Sequence, residues 1–119
     1  MPFVLTTINV SDLDRSLIFY CDLLGLPVTG QVGEAGDAFR IAFLGDARGT
    51  RLELIQGHGA PQPSEAISVG IVPRDLEAAL EACNDTVQGP VSPNPHTTFW
   101  FVRDPDGYRV QLLVEQHSN

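Results

Sequence analysis

The chain carries one pattern twice, so any fold for it must build two similar halves. Residues 44–56 read LGDARGTRLELIQ and residues 102–114 read VRDPDGYRVQLLV. Superposed, Asp46 meets Asp104, Gly49 meets Gly107, Arg51 meets Arg109 and Glu53 meets Gln111. Leu52 and Leu54 meet Val110 and Leu112. Just upstream, AFRIAFLGD and TTFWFVRD are both apolar and β-prone. The halves also begin alike. INVSDLDRSLIFYCDLLGL reads as an alternating strand, a cap and a helix, and VGIVPRDLEAALEACNDTV repeats that order with one extra residue near Pro73.

Each half is therefore expected to be a βαβββ module, its last two strands joined by an Asp-x-x-Gly turn where glycine accepts positive φ. Residues 1–56 form the first module, residues 57–65 a Gly/Pro-rich connector and residues 66–119 the second, all within one domain. Leu13, Leu17, Tyr20 and Leu24 make the inner stripe of the first helix, with Ser11 as N-cap and Asp14 completing a capping box. Leu76, Ala79, Leu80 and Cys83 do the same in the second. Residues 88–96, QGPVSPNPH, read as too proline-rich for regular structure: either a lid over a site or a stiff surface loop.

Strand alternation assigns faces. Ile8 and Val10, Leu52 and Leu54, Ile67, Val69 and Ile71, and Val110, Leu112 and Val114 should pack under the helices. The opposite face then carries Leu5, Thr7 and Asn9; Arg51, Glu53 and Ile55; Ser68, Gly70 and Val72; and Arg109, Gln111, Leu113 and Glu115. Polar groups there must be paired or solvated, since burial without partners is costly.

Composition excludes several functions. Fifteen acids against seven bases give a net charge of −8, which opposes a nucleic-acid binder but not a cationic small ligand. All seven bases are arginine, so lysine Schiff-base chemistry is excluded. There is no Gly-rich phosphate loop, Cys-x-x-Cys pair or His-Glu-x-x-His motif. No apolar run approaches the roughly 20 residues of a membrane span, and MPFVLTTINV does not read as a signal peptide. Cys21 and Cys83 read as reduced thiols of a cytoplasmic protein.

INVSDLDRSLIFYCDLLGL resembles the opening motif of the vicinal oxygen chelate superfamily, and FVRDPDGYRVQLLVE its closing motif. That group includes glyoxalase I, bleomycin-resistance proteins, extradiol dioxygenases and fosfomycin-resistance enzymes. The resemblance covers essentially the whole chain. It implies an α+β fold of two βαβββ modules forming a cupped, mostly antiparallel sheet, usually in a homodimer, with the site in the cup. Enzymes of the family typically hold a divalent metal through four His or Glu positions. Carried over, these fall on Leu5, Glu53, Ser68 and Gln111, with Ile67 as the other candidate for the third and strand alternation favouring Ser68. Only Glu53 keeps a usual ligand type, so no metal is expected at the family site. His58, His96 and His117 match no ligand position, though a relocated site of Glu53 with His58 or His96 is conceivable chemistry.

The expectation is thus a small-molecule-binding protein similar to bleomycin-resistance proteins, which have this fold without the metal ligands. Its ligand-binding residues would be Leu5, Thr7, Arg51, Glu53, Ser68, Trp100, Arg109 and Gln111. Phe39, Phe99, Phe101 and Tyr108 are the other aromatics available to stack a guest. The alternatives are a metal-dependent lyase, isomerase or dioxygenase of the glyoxalase type, or a dimerisation module with no ligand. Were the chain an enzyme without metal, Glu53 is its candidate general base. Arg51 and Arg109 would bind a carboxylate, neutralise Glu53, or, most simply, make salt bridges at the sheet surface.

Overall fold

The computed structural model describes residues 2–46 and 48–114. In chain order the elements are β1 (Leu5–Val10), α1 (Leu13–Leu17), β2 (Val28–Val32), β3 (Arg40–Gly45), β4 (Arg51–Gln56), β5 (Ser68–Ile71), α2 (Leu76–Ala82), β6 (Gln88–Asn94), β7 (Thr97–Arg103) and β8 (Arg109–Leu113). The order βαβββ thus occurs twice. The first sheet runs β1-β4-β3-β2 and the second β5-β8-β7-β6. In each, the first strand lies parallel to the last through the helical crossover, and the other pairs are antiparallel. The chain forms two compact units. One holds the residues up to Asp22 with Leu26–Gln62, and the other holds Leu23–Gly25 with the chain from Pro63 onward. Leu23–Gly25 belongs with the second unit, where the Arg74 N–H donates to the Leu24 carbonyl at 2.9 Å.

Within the first unit, Ala42, Leu44, Leu52 and Leu54 are buried with Val10, Leu13, Phe19 and Tyr20. Two polar ties hold α1 on that face: Leu13 N–H donates to Gln56 Oε1 at 2.8 Å, and buried Arg40 pairs with Asp14 at 2.9 Å. The helix differs from its sequence reading in two respects. Its N-cap is Asp12, not Ser11. Asp12 has the extended backbone a cap needs and accepts from Arg15 N–H at 3.2 Å, whereas Ser11 Oγ accepts from the Arg15 guanidinium. Asp14 pairs with Arg40. After Leu17 the turns widen to i→i+5 over Ile18–Leu23, so Phe19 and Ser16 join the buried stripe and Leu17 sits at its margin.

The second unit repeats this. Ala79 and Cys83 of the α2 segment are buried, as are Ile71, Val102, Val110 and Leu112. Asp75 caps α2 and accepts from Ala78 N–H. Asp12 lies seven positions after Leu5, and Asp75 seven after Ser68, so the repeat runs from strand to cap without the extra residue expected near Pro73. Ile67 precedes β5 and is 70% exposed, so it is not one of the residues under the helix. Residues 88–96 are also not a loop: Gln88–Asn94 is the edge strand of its sheet. It pairs with β7 at Gln88, Val91 and Asn94, with irregular steps between, and Pro90 and Pro93 fall at the unpaired positions. An edge with bulges is where a sheet tolerates proline.

The two hairpin turns share a design with different strength. Asp104 is 5% exposed. Its Oδ1 accepts from Asp106 N–H at 2.9 Å and Tyr108 N–H at 2.8 Å, and Gly107, at φ +90°, donates its N–H to the Asp104 carbonyl. Asp46 is exposed, and among the described residues its Oδ1 accepts from Arg48 N–H at 2.9 Å.

Candidate functional site

The turns set the register, and the register sets which side chains share the face away from each helix. In the first unit that face has three rows: Leu5, Arg51 and Gly45; Thr7, Glu53 and Phe43; Asn9, Ile55 and Ile41. In the second the rows are Ser68, Arg109 and Arg103; Gly70, Gln111 and Phe101; then Leu113 with Phe99. Ser68 therefore occupies the register position of Leu5, Gly70 that of Thr7, and Phe101 that of Phe43.

Seven of the eight sequence-selected ligand residues lie on these rows. Trp100 does not: it pairs with Leu112, one step from Val102 and Val110, and so shares the helix-side face. Alternation puts Phe99 and Phe101 on the site side instead. Phe43 was missed, although the repeat carries the signal: it aligns with Phe101 once AFLGD is laid on WFVRD.

The arginines also differ from the simplest expectation. Neither Arg51 nor Arg109 has a carboxylate within salt-bridge distance among the described residues. Each lies over a phenylalanine one row away: Arg51 Cζ is 5.2 Å from the Phe43 centroid, and Arg109 Cζ 3.7 Å from that of Phe101. Such contacts contribute about 0.5–1 kcal/mol at exposed sites. Arg103 holds the ion pair in this region, with Glu65. Arg109 Nη1 donates to the Glu65 carbonyl at 3.3 Å.

The middle row differs between the halves. Thr7 Oγ1 donates to Glu53 Oε1 at 2.6 Å. Gln111 makes no hydrogen bond through its side chain among the described residues. Gly70 stands at the register position of Thr7 and has no side chain; a Cβ there would lie 3.2 Å from Leu113 Cδ1 and 3.8 Å from Gln111 Oε1, so Leu113 closes over the place that Thr7 fills in the first unit.

The family's metal positions were tested against these donors. The first unit supplies Leu5, which has no donor, and Glu53, one oxygen of which already accepts from Thr7. The second supplies the Ser68 hydroxyl and the neutral Gln111 amide. Zinc, nickel or iron(II) needs several imidazole or anionic ligands, so this set does not fit such an ion. Among the described residues no cluster of three His, Cys, Asp or Glu side chains could hold a metal, a relocated site with His58 or His96 included; His117 and Glu115 lie outside those residues. No helix among them is long and apolar enough to cross a membrane. Burial pushes the thiols of Cys21 and Cys83 above the ordinary range, with Asp22 and Asp85 adding to it, and both cysteines are free.

Residues 3–112 match the Glyoxalase/Bleomycin resistance protein/Dioxygenase superfamily. A probable lactoylglutathione lyase of Synechocystis sp. is 31% identical, covering 91% of this chain and 91% of its own. The lactoylglutathione lyase of Escherichia coli O157:H7 is 29% identical over 99% of this chain and 96% of its own. Among solved structures, the trypanothione-dependent glyoxalase I of Leishmania major is similar with a TM-score of 0.70 and 29% identity, covering 95% of this chain and 86% of that one. An antibiotic binding protein from Streptomyces sp. CB03234 has a TM-score of 0.67 at 19% identity, covering 95% and 94%, a likeness of fold alone.

Proposed function

The chain belongs to the Glyoxalase/Bleomycin resistance protein/Dioxygenase superfamily, and we propose that within it the protein binds a small organic molecule without a divalent metal. The observation that carries this is the donor set: Leu5, Ser68 and Gln111 stand at three of the four family ligand positions. The recognition groups are those on the face away from the helices. Leu5, Thr7, Arg51 and Glu53 belong to the first unit, and Ser68, Arg109 and Gln111 to the second. Phe43 and Phe101 take the role first given to Trp100. The net charge of −8 favours a cationic guest overall, but the arginines over phenylalanine make the immediate surroundings cationic. In this reading the protein is a cytoplasmic homodimer with reduced cysteines, and it does not bind nucleic acid.

The second reading is a metal-dependent lyase of the glyoxalase type, favoured by the names of its relatives. Elemental analysis of protein purified without chelator separates the two, alongside thermal-shift screening against a broad set of small organic molecules with and without EDTA. We expect no stoichiometric metal and ligand-induced stabilisation indifferent to EDTA. Stoichiometric nickel, zinc or iron that disappears in Glu53→Ala would overturn the proposal. Silence across the screen would leave a dimerisation module.

A further inference from the structure

In the second unit Arg109 has no carboxylate within salt-bridge distance among the described residues. Arg109 lies over Phe101, and its Nη1 has a carbonyl partner in Glu65. Its Nε is buried and has no hydrogen-bond partner. The chain has about two acids for every base, so carboxylates are not scarce. Glu65 is close enough to choose: it gives its carboxylate to Arg103 and only its backbone oxygen to Arg109. What remains of the Arg109 guanidinium is the Nη2 amine and part of Nη1, a planar donor edge steadied by the ring beneath it. Such an edge matches the two oxygens of a carboxylate.

The neighbours on the same face suit that ligand. Ser68, exposed, is the register partner of Arg109 and brings a hydroxyl. Gln111, one row on, has an amide with no hydrogen-bond partner among the described residues. Gly70 has no side chain, which lets Leu113 Cδ1 lie 3.2 Å from where a Cβ would sit and brings that apolar group up to Gln111. Phe99 and Leu113 form the next row and offer an apolar wall. With Arg103 already neutralised, one free guanidinium balances one negative charge, not the two of a phosphate monoester.

We propose that Arg109, with Ser68 and Gln111, is the recognition site for the carboxylate of a small planar organic acid whose apolar body lies toward Phe99 and Leu113. This rests on the small-molecule-binding reading and names its ligand class. Benzoate is the probe, with benzamide as its neutral counterpart and phenylphosphonate as the phosphate-like one. In nitrogen-15-labelled protein, benzoate at tens of millimolar should shift the Arg109 side-chain N–H resonance, and benzamide should not. Loss of a charge-assisted hydrogen bond in Arg109→Met should weaken benzoate binding by about tenfold or more, with Arg109→Lys between.

The wild-type comparison needs no variant and stands if Arg109→Met fails to fold. Benzamide binding as well as benzoate, or benzoate binding that survives Arg109→Met, overturns the carboxylate site and leaves the small-molecule reading intact. Tighter binding of phenylphosphonate overturns it in favour of a phosphate. Absence of any shift with benzoate also overturns it, and the broader screen then decides the parent reading separately.

Discussion

Replacing Asp104 with alanine should cost this protein far more than the same change at its repeat partner, Asp46. The Asp104 carboxylate is almost wholly enclosed and accepts two backbone N–H bonds, from Asp106 and Tyr108. Each bond to a charged acceptor contributes about 1.5–3 kcal/mol at most, and its loss leaves a part-buried donor without a partner. The two together put Asp104→Ala at roughly 2–4 kcal/mol, with the upper end discounted because the two bonds share one oxygen. Asp46 is exposed and among the described residues accepts one such bond, from Arg48. Water can replace that bond, so Asp46→Ala should cost about 0.5–1 kcal/mol, in the range of a weak cap. Asp104→Asn keeps an acceptor oxygen in place and should recover about half of the alanine loss. Urea unfolding of the three variants measures all of this through the midpoint, with the slope unchanged if only stability has moved. Equal losses at Asp46 and Asp104 would refute the argument from burial and bond count. An asparagine variant no better than alanine would refute the assignment of the loss to accepted hydrogen bonds.

Two further outcomes follow from the faces and the thiols. Trp100 is the only tryptophan and lies on the helix-side face, so saturating the protein with benzoate should leave its emission almost unchanged; strong quenching in a fluorescence titration would contradict that placement. Burial raises both thiol pKa values, so Cys21 and Cys83 should be alkylated by iodoacetamide in the folded protein only at higher pH than in the urea-unfolded chain. By the same linkage the folded state holds these protons more tightly than the unfolded one. Its stability should therefore be fully present below the ordinary thiol range and fall as pH rises through the raised values, read from unfolding midpoints across that range.

The architecture was legible because the duplication constrains it twice over. A strand at residues 5–10 read alone is ambiguous. Once its counterpart precedes a second helix and a second Asp-x-x-Gly turn, the order βαβββ has few competitors. Face assignments for Thr7, Glu53, Arg109 and Gln111 followed from alternation and needed no tertiary information. The errors have local causes. Ser11 and Asp12 both have capping side chains, and sequence does not say which backbone will be extended. Alternation fixes which residues share a face, but not where a strand begins, so Ile67 was carried one residue too far. The prolines of residues 88–96 argue against a central strand, and an edge strand with bulges escapes that argument. Trp100 was selected for its ring alone, when its parity with Leu112 already assigned it to the other side.

The partners of Arg51 and Arg109 could not have been read from the sequence. In an acidic chain the default partner for an exposed arginine is a carboxylate, and which one is reachable depends on a diagonal between strands and on where a connector residue settles. Glu65 decides the matter in the second unit by turning its carboxylate to Arg103. The same choice distinguishes the halves chemically. At equivalent positions the first unit sets a carboxylate held by Thr7, and the second a neutral amide beside a glycine covered by Leu113. The two frames are alike in register, and Leu5 against Ser68, Thr7 against Gly70 and Glu53 against Gln111 make their faces unequal.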